Sequence, residues 1–398
     1  MSPKTVTRIV AVASPDSYDA YNPVFTAKYL LDHSNWHYIN SFAQTLREYG
    51  FELVVYAFSE SGEPGLYRSH DGSYTVRLIR PSPLTLKLLG MGDPWRYLAT
   101  LINTIKLVKP VLVDRPNMVV NTHFPHFPRG EALSLLSKLI GTKFGYLQSI
   151  TLPGRSPYDY IAQLFQHITD FYIFTEAGGV EESQRRYLIP RGKTHLVGLL
   201  PHVYSHESGV QRRAQIQGKN ILYVGRLEDK QKAVSNLIEA FARLAPLVPE
   251  ATLTIVGDGT DRERLEAFAK RTHYPQRIRF TGWLTTDELT EQYRKAYLFC
   301  LPSRRESYSL ALTEAMLAGL PVVCSDLPQL GDRAQDGHTA LTVRVDDVEE
   351  LSNKLLLLLR DEDYAATLGR NARKRIEQII QESRERLPQT LRQILTQH

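Results

Sequence analysis

Two carboxylates, Glu306 and Glu314, are the residues whose type and spacing first suggest chemistry. Seven residues separate them, with Glu306 in a polar stretch and Glu314 in a run that reads as helix. Eight helical steps advance about 12 Å, roughly the length of a sugar diphosphate. Ionised carboxylates only accept hydrogen bonds, and sugar hydroxyls donate them. A helix amino end between the two would offer unpaired N–H groups and the positive end of a dipole, which suits a phosphate. One glutamate could then hold a ribose, the backbone a diphosphate, and the other glutamate a sugar. Solvated glutamates on a surface helix are the competing reading, because charged residues make up 23% of the chain.

The frame around the pair decides between them. Tyr297 to Leu301 (YLFCL) is a continuous apolar run, as in a parallel strand buried on both faces. Pro302 and Ser303 break it, which leaves Arg304, Arg305 and Glu306 in a loop at its carboxyl end. From Ser309 to Ala318 the apolar residues fall at helical spacing, and Gly319-Leu320-Pro321 stops the helix before a strand starting at Val322. This segment resembles the signature of retaining GT-B glycosyltransferases of family 4, also called group 1. Pro302, Ser303, Glu306, Tyr308, Leu310, Glu314, Ala315, Met316, Gly319, Pro321, Val322 and Val323 match it. Ser307 and Ser309 depart from it where glycine is usual, and Tyr308 stands where phenylalanine is common.

A second stretch, GRLEDKQKAVSNLIEAF from Gly225, resembles the same family's G-R-L segment. Arg226 matches its arginine, Lys232 its lysine before a helix, and Ala233 replaces the usual glycine. The resemblance implies that Arg226 and Lys232 bind the donor diphosphate. A departing nucleoside diphosphate gains negative charge as the glycosidic bond breaks, and cations stabilise that charge most in the transition state. Lys230 reads as an ordinary surface charge. Gly282-Trp283-Leu284 corresponds to the family's nucleobase loop, where Trp283 either stacks on a base or simply packs. Gly257-Asp258-Gly259 resembles a dinucleotide fingerprint fragment but is too short to specify one. Asp361-Glu362-Asp363 mimics a metal-binding D-x-D and reads as helix capping.

In the first half, Met118 to His123 (MVVNTH) is an apolar run with polar residues at its carboxyl end, where open parallel sheets bind ligands. His123 matches the family's histidine after this strand, which implies contact with the transferred sugar; a structural histidine is the alternative. His126 is close by. Family members carry a Gly-Gly loop after the first strand, whereas here residues 15–35 lack it; that segment reads as a lid or part of an acceptor site.

The elements that must position these residues alternate strand and helix: strands at Thr7–Ser14 and Phe51–Phe58 around a helix at Trp36–Tyr49, then Tyr74–Ile79. An amphipathic helix follows at Asp93–Val108, and strands come near Phe144–Gln148, Asp170–Thr175 and His195–Leu200. Further helices are expected at Gly130–Leu139, Tyr158–Ile168 and Glu176–Leu188. This order predicts doubly wound parallel sheets. The Asp93–Val108 helix reads as facing the core with its lysines solvated, in preference to lying on an anionic membrane. Later strands are expected at Asn220–Gly225, Glu250–Gly257 and Ile278–Thr281, and helices at Asp287–Arg294 and Ser352–Leu359.

With 398 residues the chain can bury large cores. Its apolar content is ordinary, and a net charge of +5 favours anionic partners without choosing among them. Nucleic acid is not among the partners expected. Cys300 and Cys324 lie in apolar runs without metal-ligand spacing, as buried reduced thiols of a cytoplasmic protein would. No apolar run reaches the ~18 residues of a membrane span, and the amino terminus lacks a signal-peptide pattern.

The expectation is α/β, GT-B: two Rossmann-like domains facing across a cleft. Residues 1–204 form an acceptor-side domain, 205–219 a linker and 220–382 the donor-binding domain, with a helix at about 383–398 packing back onto the first domain. The resemblance is strong from Asn220 to about Lys374 and weak before that. It implies transfer of a hexose from a UDP- or GDP-sugar to a hydroxyl acceptor, a lipid or polysaccharide precursor, with retained configuration on one face and no metal or other cofactor. Donor contacts would come from Gly225, Arg226, Lys232, Trp283, Leu284, Glu306, Tyr308, Ser309, Leu310 and Glu314, and catalytic ones from His123, Glu306, Arg226 and Lys232. A non-catalytic nucleotide-sugar-binding subunit and a GT-B epimerase are the alternatives, and peripheral contact with an anionic membrane stays open.

Overall fold

The computed structural model describes residues 7–12, 37–58, 63–69, 72–89, 95–121, 129–148, 167–175, 180–181, 183–185, 188–198, 218–306 and 308–397. The chain divides into two compact units, Met1–His202 together with Glu382–His398, and Val203–Gln381. His123, His126 and residues 15–35 lie outside the described residues, as do residues 205–217, most of the helix expected at Tyr158–Ile168 and about half of that expected at Glu176–Leu188.

The first unit runs β1 (Thr7–Val12), α1 (His37–Glu48), β2 (Phe51–Phe58), β3 (Gly65–Arg68), β4 (Thr75–Ile79), α2 (Pro83–Leu89), α3 (Trp95–Lys106), α4 (Val108–Asp114), β5 (Met118–Asn121), α5 (Arg129–Leu139), β6 (Lys143–Gln148), β7 (Phe171–Phe174) and β8 (Thr194–Leu196). Its strands form one sheet in the order β3-β4-β2-β1-β5-β6-β7-β8. All neighbours are parallel except β3, which runs antiparallel to β4. The apolar runs of β1 and β2 are explained by burial on both faces. Ile9, Ala11, Leu53 and Val55 join one core with Leu46, while Val10, Val12, Val54 and Tyr56 join the other with Leu107, Val111 and Leu133.

The second unit runs β9 (Lys219–Val224), α6 (Asp229–Lys232), α7 (Val234–Leu244), β10 (Ala251–Val256), α8 (Arg262–Lys270), β11 (Ile278–Gly282), α9 (Thr286–Lys295), β12 (Leu298–Leu301), α10 (Leu310–Leu317), β13 (Val322–Ser325), β14 (Leu341–Val343), α11 (Val348–Arg360) and α12 (Glu362–Thr396). Its sheet is wholly parallel in the order β11-β10-β9-β12-β13-β14. The order reverses between β9 and β12, the topological switch point at which such sheets bind ligands beyond their strand ends. The final helix contributes Leu368, Ala372 and Ile376 to the core of this unit and Leu387, Leu391 and Ile394 to a core of the first.

The helix expected at Asp93–Val108 is α3, ending at Lys106, with a separate short helix, α4, after it. Lys232 ends the one-turn α6 just before α7, as expected of a lysine before a helix. Two details differ from the sequence reading. Edge strand β3 has little apolar content to announce it. The second is a correction: α3 does not turn its apolar side to the core. It buries Ala99, Asn103 and Thr104 and exposes Trp95, Leu98, Leu101 and Ile105. Small inward residues let α3 sit close on α2 and α5, and the bulky residues are left outside. Asp361 does cap, accepting from the Tyr364 backbone N–H at 2.9 Å. Cys300 and Cys324 are free, buried thiols on the paired strands β12 and β13.

Candidate active site at the switch point of the second sheet

The loops leaving β9 and β12 carry the residues the sequence singled out. Glu306 is 4% exposed, and its Oε1 accepts from Lys232 Nζ at 2.8 Å and from the Ser303 hydroxyl at 2.7 Å. Both donors use one oxygen; among the described residues Oε2 has no hydrogen-bond partner. The pair joins the chain after strand β9 to the chain after strand β12, across the switch point.

Backbone bonds lock those two loops together. Arg304 N–H donates to Gln231 O at 2.8 Å, and Gln231 Nε2 donates to Arg305 O at 3.2 Å. The Arg304 guanidinium donates to Asp229 O at 2.6 Å and to Asp346 Oδ1 at 2.7 Å, so this cation is a brace. Asp229 itself accepts from Ser235 N–H and Oγ and from Arg264. Burial alone would raise its carboxyl, but the Ser235 and Arg264 bonds outweigh that and hold it below the ordinary carboxylate range.

Lys232 is aimed by a strained residue. Ala233, fully buried, has φ 50° and ψ 39°, left-handed geometry that ends α6 and starts α7. A side chain there costs roughly 1–2 kcal/mol relative to glycine. Ser309 is likewise at positive φ, 64°, and its Oγ caps α10 by accepting from Leu312 N–H at 3.3 Å. Both positions are those where the resembled family has glycine. The α10 amino end therefore sits directly after the Glu306 loop; its Leu312 N–H is taken by the Ser309 cap, which leaves the Leu310 and Ala311 amides of the first turn for an anion. Only Leu310 onward is helical, so the rise from there to Glu314 is about 6 Å, half of what an unbroken helix from Glu306 would give.

Glu314 is partly buried on α10, and Tyr293 OH donates to its Oε2 at 2.9 Å. Burial, offset in part by that hydroxyl, pushes its carboxyl up to about 7. Arg226 is half exposed and pairs with Glu228 at 2.6 Å. Trp283 is 73% exposed, so the packing alternative for its ring does not hold. Leu284 packs against the core, and α9 behind it starts at a capping box formed by Thr285 and Glu288. Gly257 serves packing: a Cβ there would lie 2.0 Å from Gly225 O, so the Gly-Asp-Gly turn brings the β9 and β10 loops together.

Sequence reasoning missed Arg333. It is completely buried, with its guanidinium 3.8 Å from the centroid of the Tyr308 ring. It donates to Thr313 Oγ1 at 3.0 Å, Gln329 O at 3.2 Å and Ser309 O at 3.4 Å. The cation thus fixes the loop that delivers α10. Its loop at residues 328–340 matches no sharp pattern, and nothing in its neighbours signals burial.

Residues 211–375 match the family profile described as "Glycosyl transferases group 1", and the two-sheet architecture is of the GT-B class. Among curated proteins, a glycogen synthase from Mycobacterium tuberculosis is 35% identical over 165 residues, 42% of this chain and 40% of that protein. A phosphatidyl-myo-inositol mannosyltransferase from Mycolicibacterium smegmatis is 29% identical over 161 residues, 40% of this chain and 41% of that protein. The matched segment thus spans less than half the length of these relatives. Among solved structures, sucrose-phosphate synthase from Thermosynechococcus elongatus superposes with a TM-score of 0.74 at 18% identity, covering 98% of this chain and 99% of that one. HepE from Anabaena, in complex with UDP and glucose, gives 0.71 at 14% identity, covering 97% and 100%.

Proposed function

We propose that this chain is a retaining glycosyltransferase that moves a hexose from a UDP- or GDP-sugar to a hydroxyl acceptor without a metal ion. The observation that carries the reading is the Lys232–Glu306 pair, held at 2.8 Å where the strand order reverses. Lys232, Arg226 and the α10 amides bind the diphosphate. Glu306 holds the sugar hydroxyls through its free oxygen, Glu314 the ribose, and the exposed Trp283 ring stacks on the base. His123 contacts the transferred sugar. The bond from the anomeric carbon to the diphosphate breaks, the acceptor oxygen bonds to that carbon on the same face, and the acceptor proton passes to the leaving phosphate oxygen. Support comes from the group 1 match over this unit and from relatives named as sugar transferases. The acceptor is a lipid or polysaccharide precursor, reached from the cytoplasmic side in contact with an anionic membrane.

Nucleotide release from UDP- and GDP-sugars tests the reading. Slow hydrolysis without acceptor, abolished by Glu306→Ala, is expected. Donor binding with no release would mean a non-catalytic subunit, and conversion of the sugar without release an epimerase.

A further inference from the structure

The first unit presents an apolar face in a cation-rich stretch of the chain. Along α3 the exposed residues Trp95, Leu98, Leu101 and Ile105 recur at steps of three, three and four. At 3.6 residues per turn they fall within an arc of about 120°. The opposite side buries Ala99, Thr104 and Asn103, and the Asn103 amide has no hydrogen-bond partner among the described residues. A helix that only closed a core would be turned the other way. Helix α4, which follows directly, exposes Leu112 and Val113, and α2, packed on α3, exposes Leu84.

Charge around this face is one-sided. Residues 80–115 contain six arginines and lysines and two aspartates. One of those aspartates, Asp114, is spent internally, accepting from Tyr56 OH at 2.5 Å and from Arg77 Nε at 2.9 Å. Arg80, Lys87, Lys109 and Arg115 are exposed, and Lys106 bonds the Arg80 carbonyl at 2.8 Å. No helix among the described residues is long and apolar enough to cross a membrane.

We propose that the α3 face, with the adjoining Leu84, Leu112 and Val113, seats on an anionic lipid surface. Large apolar side chains enter the acyl boundary while the surrounding cations meet lipid phosphates, the arrangement of helices that lie in the interface plane. Trp95, at the amino end of α3, is the aromatic type enriched at that depth. A protein partner would also cover an apolar face, but the excess of cations over carboxylates along this stretch selects a polyanionic surface. The inference deepens the membrane contact of the proposed function by naming the surface. It concerns residues outside the switch-point site, and its test involves no sugar transfer, so the two can fail separately.

The test is co-sedimentation of the full chain with phosphatidylcholine vesicles, with and without phosphatidylglycerol, at low and high salt. Binding to the anionic vesicles alone, weakened by salt, is expected. Leu98→Glu combined with Ile105→Glu should lower it more than tenfold, and Lys87→Glu or Lys109→Glu by at least about fivefold each, the effect of one cation near such a surface. These positions are exposed, so unchanged thermal unfolding would show the variants are folded. Absence of binding to anionic vesicles, or variants that bind as the parent does, would overturn the proposal. So would a vesicle-free dimer that Ile105→Glu dissociates, which would give the face to a second copy of the chain.

Discussion

Lys232 Nζ and Glu306 Oε1 lie 2.8 Å apart with side-chain exposures of 13% and 4%, so the ion pair is nearly dry. Removing one member of such a pair strands a buried charge and costs about 3–5 kcal/mol. Lys232→Ala should therefore lower stability by about 3 kcal/mol as well as abolish transfer. Lys232→Met with Glu306→Gln should lose less stability than the two single changes added together. Urea unfolding of the four proteins measures the coupling; additive losses would mean the pair does not hold the two loops together.

Arg333 should matter through geometry as well as charge. Lysine cannot reproduce the guanidinium fork that reaches Thr313 Oγ1 and Gln329 O while covering the Tyr308 ring. Arg333→Lys is expected to destabilise by about 2 kcal/mol, the scale of losing hydrogen bonds from a charged donor. It should also weaken nucleoside diphosphate binding, because the loop before α10 loosens. Calorimetry with UDP and GDP checks this, and a variant that unfolds earlier but binds normally would make Arg333 purely structural.

Ala233 offers a change in the stabilising direction. Glycine at φ 50° removes the left-handed penalty, and its extra freedom in the unfolded chain takes back part of the gain. Ala233→Gly should add about 0.5–1 kcal/mol. The rise in Tm measures it, with transfer unaffected.

Glu314 should make both stability and donor binding depend on pH. Its carboxyl is pushed from 4.5 up to about 7 in the folded protein. The folded state therefore holds a proton that the unfolded chain releases, so its stabilising contribution is full below pH 4.5 and is lost as pH rises through about 7. Glu314→Gln should flatten that fall and be more stable above pH 8 by up to about 3 kcal/mol. If ionised Glu314 accepts from the ribose, donor affinity in the parent should increase through pH 7 and the variant should lose that dependence. Titrations at several pH values decide it.

Most strands and the two motifs were legible because their signals are local. Apolar runs such as YLFCL mark doubly buried strands, and the Glu306–Glu314 segment is a compact pattern. The burial direction of α3 was not legible, because its hydrophobic stripe is real but faces outward, with Ala99 and Asn103 on the buried side. Arg333 escaped because its partners, Tyr308 and Thr313, lie 25 and 20 positions away in the sequence. Ala233 and Ser309 were visible only as departures from a glycine pattern; the structure supplies the positive φ that explains what glycine would do there.

The most direct measurement is a crystal structure of the chain with a nucleoside diphosphate. The diphosphate is expected at the amino end of α10 within hydrogen-bond distance of Lys232, with the base beside Trp283 and the ribose at Glu314. A nucleotide bound away from the β9 and β12 loops would contradict the account.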